Sequence, residues 1–167
     1  MRNKVLIVMG SDSDFPIMKA CISTLVEFNV AYEAKVCSAH RTPDQAIRLA
    51  RGAAEQGFGV IIAAAGLAAH LPGILSACTT LPVIGVPIKA GALAGTDALY
   101  SIVQMPSGVP VATVAIDGAE NAAILAVEIL ALQDERLAQR LLDHKTKMIE
   151  SVQARQQNLE AKLHDLH

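Results

Sequence analysis

Lys4-Val5-Leu6-Ile7-Val8-Met9-Gly10-Ser11-Asp12-Ser13-Asp14-Phe15-Pro16 is the stretch that decides the fold. Lys4–Met9 is a short, nearly unbroken aliphatic run closed by a glycine, which reads as a buried strand and is too short for a secretory signal or a membrane span. A helix should follow at once. Asp14 is placed to cap it, and Pro16 falls in its first turn, where a missing N–H costs nothing. A strand feeding a helix through a glycine turn is one βα unit.

The unit repeats along the chain. Strand-like runs recur at Tyr32–Val36, Val60–Ala64, Val83–Pro87 and Val111–Ile116, separated by helical patterns at Pro16–Phe28, Pro43–Gln56, Leu71–Cys78 and Asp97–Gln104, with another at Asn121–Leu132. Thr42-Pro43-Asp44 reads as a cap followed by a proline at the first helical position. Runs this apolar should be covered on both faces. The expected fold is therefore α/β: three layers around a mostly parallel β-sheet, flavodoxin-like or Rossmann-like.

Composition sets the same bounds. With 167 residues, 52% hydrophobic and 18% charged, the chain can bury a sizeable core, and disorder is not expected. A net charge of -2, with 3% aromatic residues and no Trp, gives neither the basic footprint nor the stacking platforms of a nucleic-acid binder. Arg2 and Lys4 precede only the short apolar run, so no membrane segment is expected and a cytoplasmic location is. Cys21, Cys37 and Cys78 are too sparse and too widely spaced for a disulfide framework or a zinc site. No metal is predicted.

Residues 1–133 are expected to hold the βα pattern as one α/β domain, and 134–167 to form a helical extension. The extension has no strand pattern, and its acidic and basic residues balance. Leu137, Leu141, Met148, Val152, Leu159 and Leu163 form an apolar stripe at helical spacing. A helix of about 30 residues would reach roughly 45 Å, further than one small sheet can cover. Part of the stripe is expected to pack on neighbouring subunits.

Ligands of such sheets bind outside the carboxyl ends of the strands, so the loops after the first three strands carry the functional reading. The first offers Ser11, Ser13 and Asp14 at a helix N-terminus, where backbone N–H groups and hydroxyls suit an anion and a carboxylate suits sugar hydroxyls. It has neither GxGxxG nor the Walker lysine, which disfavours a dinucleotide or ATP. The second is Ser38-Ala39-His40-Arg41-Thr42-Pro43. Here an imidazole that can take and return a proton near neutrality stands beside a guanidinium that grips phosphate or carboxylate. The third, around Ala65, Gly66 and His70, has small residues that let backbone approach a flat ligand and a second imidazole. Taken singly, these residues also fit ordinary capping and structural roles. Their convergence at strand ends is what points to a site.

Gly10-Ser11-x-Ser13-Asp14, Ser38-Ala39-His40-Arg41-Thr42-Pro43, Ala68-Ala69-His70-Leu71-Pro72-Gly73 and Ser101-Ile102-Val103-Gln104-Met105-Pro106-x-Gly108-Val109-Pro110-Val111 together resemble the PurE family of purine biosynthesis, in its order and spacing, from about Val5 to Leu132. More closely they resemble its class I members, the N5-carboxyaminoimidazole ribonucleotide mutases. The resemblance implies transfer of a carboxyl group from an exocyclic nitrogen to ring carbon C4 of an aminoimidazole ribonucleotide, without metal, ATP or other cofactor. It implies His40 as the catalytic base. Ser11, Ser13 and Arg41 would contact the ribonucleotide, chiefly its phosphate, and Asp14 the ribose. Ser38, Ala65, Gly66 and His70 would surround the base and the carboxyl group. The resemblance also implies a homo-octamer.

Two other readings stand beside it. Class II relatives carboxylate aminoimidazole ribonucleotide directly with CO2, but they generally carry lysine at the position of Arg41 and no histidine at that of His70. A non-catalytic nucleotide-phosphate sensor on the same fold would not need His40. Leu67, where the family usually has glycine, is expected either to narrow the carboxylate pocket or to shift its backbone, and Asp117–Glu120 is a shortened segment.

Overall fold

A computed structural model describes residues 3–164. Arg2 and the last three residues of the predicted extension, 165–167, lie outside the described residues.

Five strands form one parallel sheet: β1 (Lys4–Met9), β2 (Tyr32–Val36), β3 (Phe58–Gly66), β4 (Val83–Ile88) and β5 (Ala112–Thr113), in the order β2-β1-β3-β4-β5. That is the flavodoxin-like order, with a topological switch between β1 and β3. The helices are α1 (Phe15–Glu27), α2 (Pro43–Ala53), α3 (Leu71–Ala77), α4 (Thr96–Val103), α5 (Ala119–Ala131) and α6 (Glu135–His164). Among the described residues, no helix is long and apolar enough to cross a membrane.

Alternation along the strands builds two cores. Val5, Ile7 and Met9 of β1, with Val60, Ile62 and Ala64 of β3, pack on α1, α5 and the start of α6. Leu6 and Val8, with Phe58, Ile61 and Ala63, face α2, α3 and α4. Apart from Lys4 at the start of β1, the central strands are therefore apolar along their length, and the three layers follow. Packing is closest where α4 crosses β4. A Cβ built on Gly85 would lie 2.4 Å from Ile102 Cγ2 and 2.9 Å from Val111 Cγ1, so only glycine lets the helix come this near.

Three expectations need correction. β2 is not covered on both faces: it is an edge strand, Tyr32, Ala34 and Val36 are exposed, and the buried helix faces are centred on β1, β3 and β4. β5 is two residues long instead of spanning Val111–Ile116. Gly85 and Pro87 of β4 present their backbones to β5, and Pro87 has no N–H to offer. The ladder stops after Gly85 pairs with Thr113, although Val114 N–H donates to the Gly85 carbonyl and Asp117 N–H to that of Pro87. The helix caps also differ. Thr42 does not cap α2; its Oγ1 donates to the Ser38 carbonyl and accepts from Ser38 N–H. Asp14 caps nothing in α1 and serves instead the short 3-10 turn Asp12–Asp14 before it.

α6 is 30 residues long, and only Leu137 and Leu141, in its first two turns, are buried. Close by, Arg140 donates to the Phe28 carbonyl, and the His144 ring packs on that of Phe28 with centroids 5.4 Å apart. Beyond His144 every described residue is exposed, including Met148, Ile149, Val152, Leu159 and Leu163.

Candidate active site

The chain leaves β1, β2 and β3 at the same end of the sheet, so three turns distant in sequence face one another. Between them lies a cavity of about 350 Å³ lined by Ser11, Ser13, Asp14, Ser38, His40, Arg41, Ala65, Gly66 and His70. All nine predicted site residues are thus brought together at the switch point of the sheet. Gly10, Ala39, Leu67, Ala68, Leu71 and Ala90 complete the lining. Ala90 was not anticipated. Its signal is positional, since it follows β4, the neighbour of β3 in the sheet.

In the first turn, Ser11 and Asp14 cap each other's backbone. Ser11 N–H donates to Asp14 Oδ2 at 3.0 Å, and Ser11 Oγ accepts from Ser13 N–H at 3.2 Å. Ser13 Oγ donates to Ser11 Oγ at 2.9 Å, so the two hydroxyls stand side by side at the start of α1. Ser11 Oγ in turn donates to Asp12 Oδ1 at 3.1 Å, and the linked hydroxyls sit beside the positive end of a helix, a place that favours phosphate.

Asp14 is only 6% exposed. Burial pushes its carboxyl above the usual carboxylate range, backbone N–H groups of Ser11 and Gly10 pull part of the way back, and the Asp12 charge adds to the rise. A raised folded pKa means the folded chain holds the proton more tightly than the unfolded chain. That stabilisation is complete below the unfolded aspartate pKa and is lost as pH rises through the folded one. Asp14→Asn retains an acceptor for Ser11 N–H without the buried charge. Its melting temperature should rise relative to the wild type as pH goes from about 3 to 7, the range in which aspartates titrate. A difference that is constant or shrinks over that range would contradict burial as the dominant cause.

The second turn is held by Ser38. Its Oγ accepts from Arg41 N–H at 3.2 Å, and its carbonyl accepts from Thr42 N–H at 2.8 Å. These bonds fix the backbone and leave the side chains of His40 and Arg41 exposed to the cavity. Among the described residues the Arg41 guanidinium has no carboxylate partner within ion-pair distance, so it is available to an anionic ligand.

His40 Nε2 lies 2.7 Å from His70 Nδ1, with the rings nearly perpendicular at 80°. One ring N–H donates to the lone pair of the other, so a hydrogen bond ties the two imidazoles together in the cavity lining. Nothing in the sequence marks this pair, because the partners are thirty positions apart and sit on different loops.

Leu67 has φ 55. The left-handed conformation costs a side chain with a Cβ about 1–2 kcal/mol, and here it turns the chain from β3 toward α3. Leu67 lines the cavity while remaining 53% exposed.

The chain's similarities agree with this geometry. The AIR carboxylase family model matches residues 4–151. The N5-carboxyaminoimidazole ribonucleotide mutase of Pyrococcus abyssi is 58% identical over 145 residues, covering 87% of this chain and 83% of that protein. The mutase of Thermotoga maritima is 52% identical over 157 residues, 94% of this chain and 92% of that one. The crystal structure of Treponema denticola PurE superimposes with a TM-score of 0.79 at 28% identity, covering 89% of this chain and 92% of that one. A family match across most of the chain, with relatives more than half identical over most of their own length, establishes that this protein belongs to the AIR carboxylase family.

Proposed function

We infer that the chain is an N5-carboxyaminoimidazole ribonucleotide mutase, an isomerase of purine biosynthesis that moves a carboxyl group from the exocyclic nitrogen to ring carbon C4. The observation that carries this reading is one cavity in which two hydrogen-bonded imidazoles, a guanidinium with no ion-pair partner among the described residues and two adjacent hydroxyls meet an apolar wall. Relatives of that name, about half identical over most of the chain, support it.

In this reading Arg41, Ser11 and Ser13 hold the 5′-phosphate, where a charged fork and two hydroxyl donors match its oxygens. Asp14 accepts from the ribose hydroxyls. Its buried charge disfavours the empty site and is satisfied by donors from the substrate, so Asp14→Asn should bind the nucleotide about tenfold more weakly, the value of one charge-assisted hydrogen bond. Backbone N–H groups near Ala65 and Gly66 face the migrating carboxylate, with Ser38 and His70 beside it. His40 takes the proton from C4 and returns one to the nitrogen that loses the carboxylate. Its contact with His70 supports that role, since the hydrogen bond fixes the orientation of the ring that faces the cavity.

The decisive assay offers N5-carboxyaminoimidazole ribonucleotide, or aminoimidazole ribonucleotide with bicarbonate, at low CO2 without ATP. Fast formation of the 4-carboxy product from the first substrate alone is expected. Fast formation from the second would establish the direct carboxylase instead.

Residues 1–133 carry this chemistry in the proposed division, and 134–167 serve assembly into a homo-octamer in the cytoplasm. The support is the exposed apolar series Met148, Ile149, Val152, Leu159 and Leu163, which no other described residue of the chain covers. Ending the chain at Asp143 keeps Leu137 and Leu141 and removes that series. The shortened protein should remain folded and fall to a smaller mass in solution; an unchanged mass would show that the series is not needed for assembly.

A further inference from the structure

Leu67 is an unusual residue for its position. A leucine retained for the core would be buried, and one tolerated in a turn would avoid the left-handed region, yet Leu67 has φ 55 and is half exposed on the cavity wall. Its neighbour across the wall is the β4–α4 loop. Leu67 Cδ2 lies 2.7 Å from the place a Cβ on Gly91 would occupy, so the side chain rests on bare backbone there. One residue earlier the fit is reversed. Ala90 lines the same cavity, and its methyl lies 3.1 Å from a Cβ built on Gly66. The two loops interlock, each offering a glycine to the other's side chain.

We propose that Leu67 is a positioning residue for the carboxyl transfer: packed over Gly91, it locks the β3–α3 and β4–α4 loops into the apolar wall that retains CO2 beside His40. The proposal rests on the mutase reading. In that reaction the exocyclic N–C bond breaks with its electron pair on nitrogen, which takes up a proton, and CO2 is set free. C4 then supplies the electron pair of the new C–C bond and gives up its proton, so one proton is taken and one returned. Between the two steps CO2 has no covalent tie and no net charge for Arg41 to grip. Its retention depends on a wall that admits no water and leaves no gap.

The test uses the full-length protein and N5-carboxyaminoimidazole ribonucleotide, measuring how each turnover divides between the 4-carboxy product and free aminoimidazole ribonucleotide, above the non-enzymatic decay in buffer. Leu67→Gly is expected to fold, since glycine suits the backbone, and to leave KM little changed while releasing several-fold more free aminoimidazole ribonucleotide per turnover. Leu67→Met restores an apolar side chain over Gly91 and should return the division toward that of the wild type. A Leu67→Gly protein that divides its turnovers as the wild type does overturns the proposal. A wild type that makes no 4-carboxy product overturns the mutase reading itself, a distinguishable failure. A second measurement needs no activity: Gly91→Ala should lower the melting temperature more with Leu67 present than in the Leu67→Gly background, and equal losses would refute the interlock.

Discussion

His40→Asn should keep ribonucleotide affinity within a small factor of the wild type and lower turnover by roughly 10²–10⁴, the acceleration a positioned acid–base group supplies. The separation follows from the layout of the site. Phosphate and ribose are assigned to Arg41, Ser11, Ser13 and Asp14, none of which donates to or accepts from the His40 ring in the structure. Asparagine keeps a polar side chain in part of the imidazole volume, but it is too short to reach His70 as His40 Nε2 does, and it cannot accept the C4 proton and give it back. Binding by calorimetry and turnover by product formation separate the two effects. A variant that interconverts the carboxylated nucleotides at the wild-type rate would eliminate the acid–base mechanism assigned to His40.

The other large effect is on stability. Gly85→Val should cost about 3 kcal/mol, at the upper end of overpacking penalties, and lower the melting temperature by roughly 10 °C. Propensity argues the opposite way, because valine is a far better strand residue than glycine, but that preference is worth only about 1 kcal/mol. Geometry wins here. The first added carbon would already stand 2.4 Å from Ile102 Cγ2, and α4 would have to lift from β4 to make room. Gly10→Ala is the control, since its Cβ meets nothing closer than 3.5 Å. Thermal melts that place Gly85→Val beside Gly10→Ala would disprove the close seating of α4.

Much of this was legible in the sequence, for identifiable reasons. β1 and β2 begin and end at the expected residues because a glycine or a change of polarity bounds them. The site was legible because sheet topology collects strand ends: once Lys4–Met9, Tyr32–Val36 and the run through Ala64 are parallel neighbours, Ser11, His40 and His70 must meet. What remained hidden depends on partners far apart in sequence. β5 is cut short by a proline on the adjacent strand, not by anything in its own run. Thr42 looks like a cap, yet it turns back to Ser38 because the loop needs closing there more than the helix needs its hydroxyl. The handedness of Leu67 is not signalled by its own residue type, which argues against it; only the glycine usual at that position in the family points to it.

The brevity of β5 has a bearing on how the chain behaves before it is fully folded. A parallel sheet forms slowly, because each pairing must close a long crossover, and its borders are templates for foreign strands in the meantime. On one border Pro87 ends the ladder after two residues, leaving little for an incoming strand to extend. On the other, β2 carries Glu33 and Lys35 on one face, linked to each other at 3.6 Å, with Glu33 also bound to Lys4 at 3.3 Å. A stranger joining that border would have to bury these charges. The sheet is thus guarded at one margin by a missing donor and at the other by charge, which makes misassembly through its edges unfavourable while correct assembly proceeds.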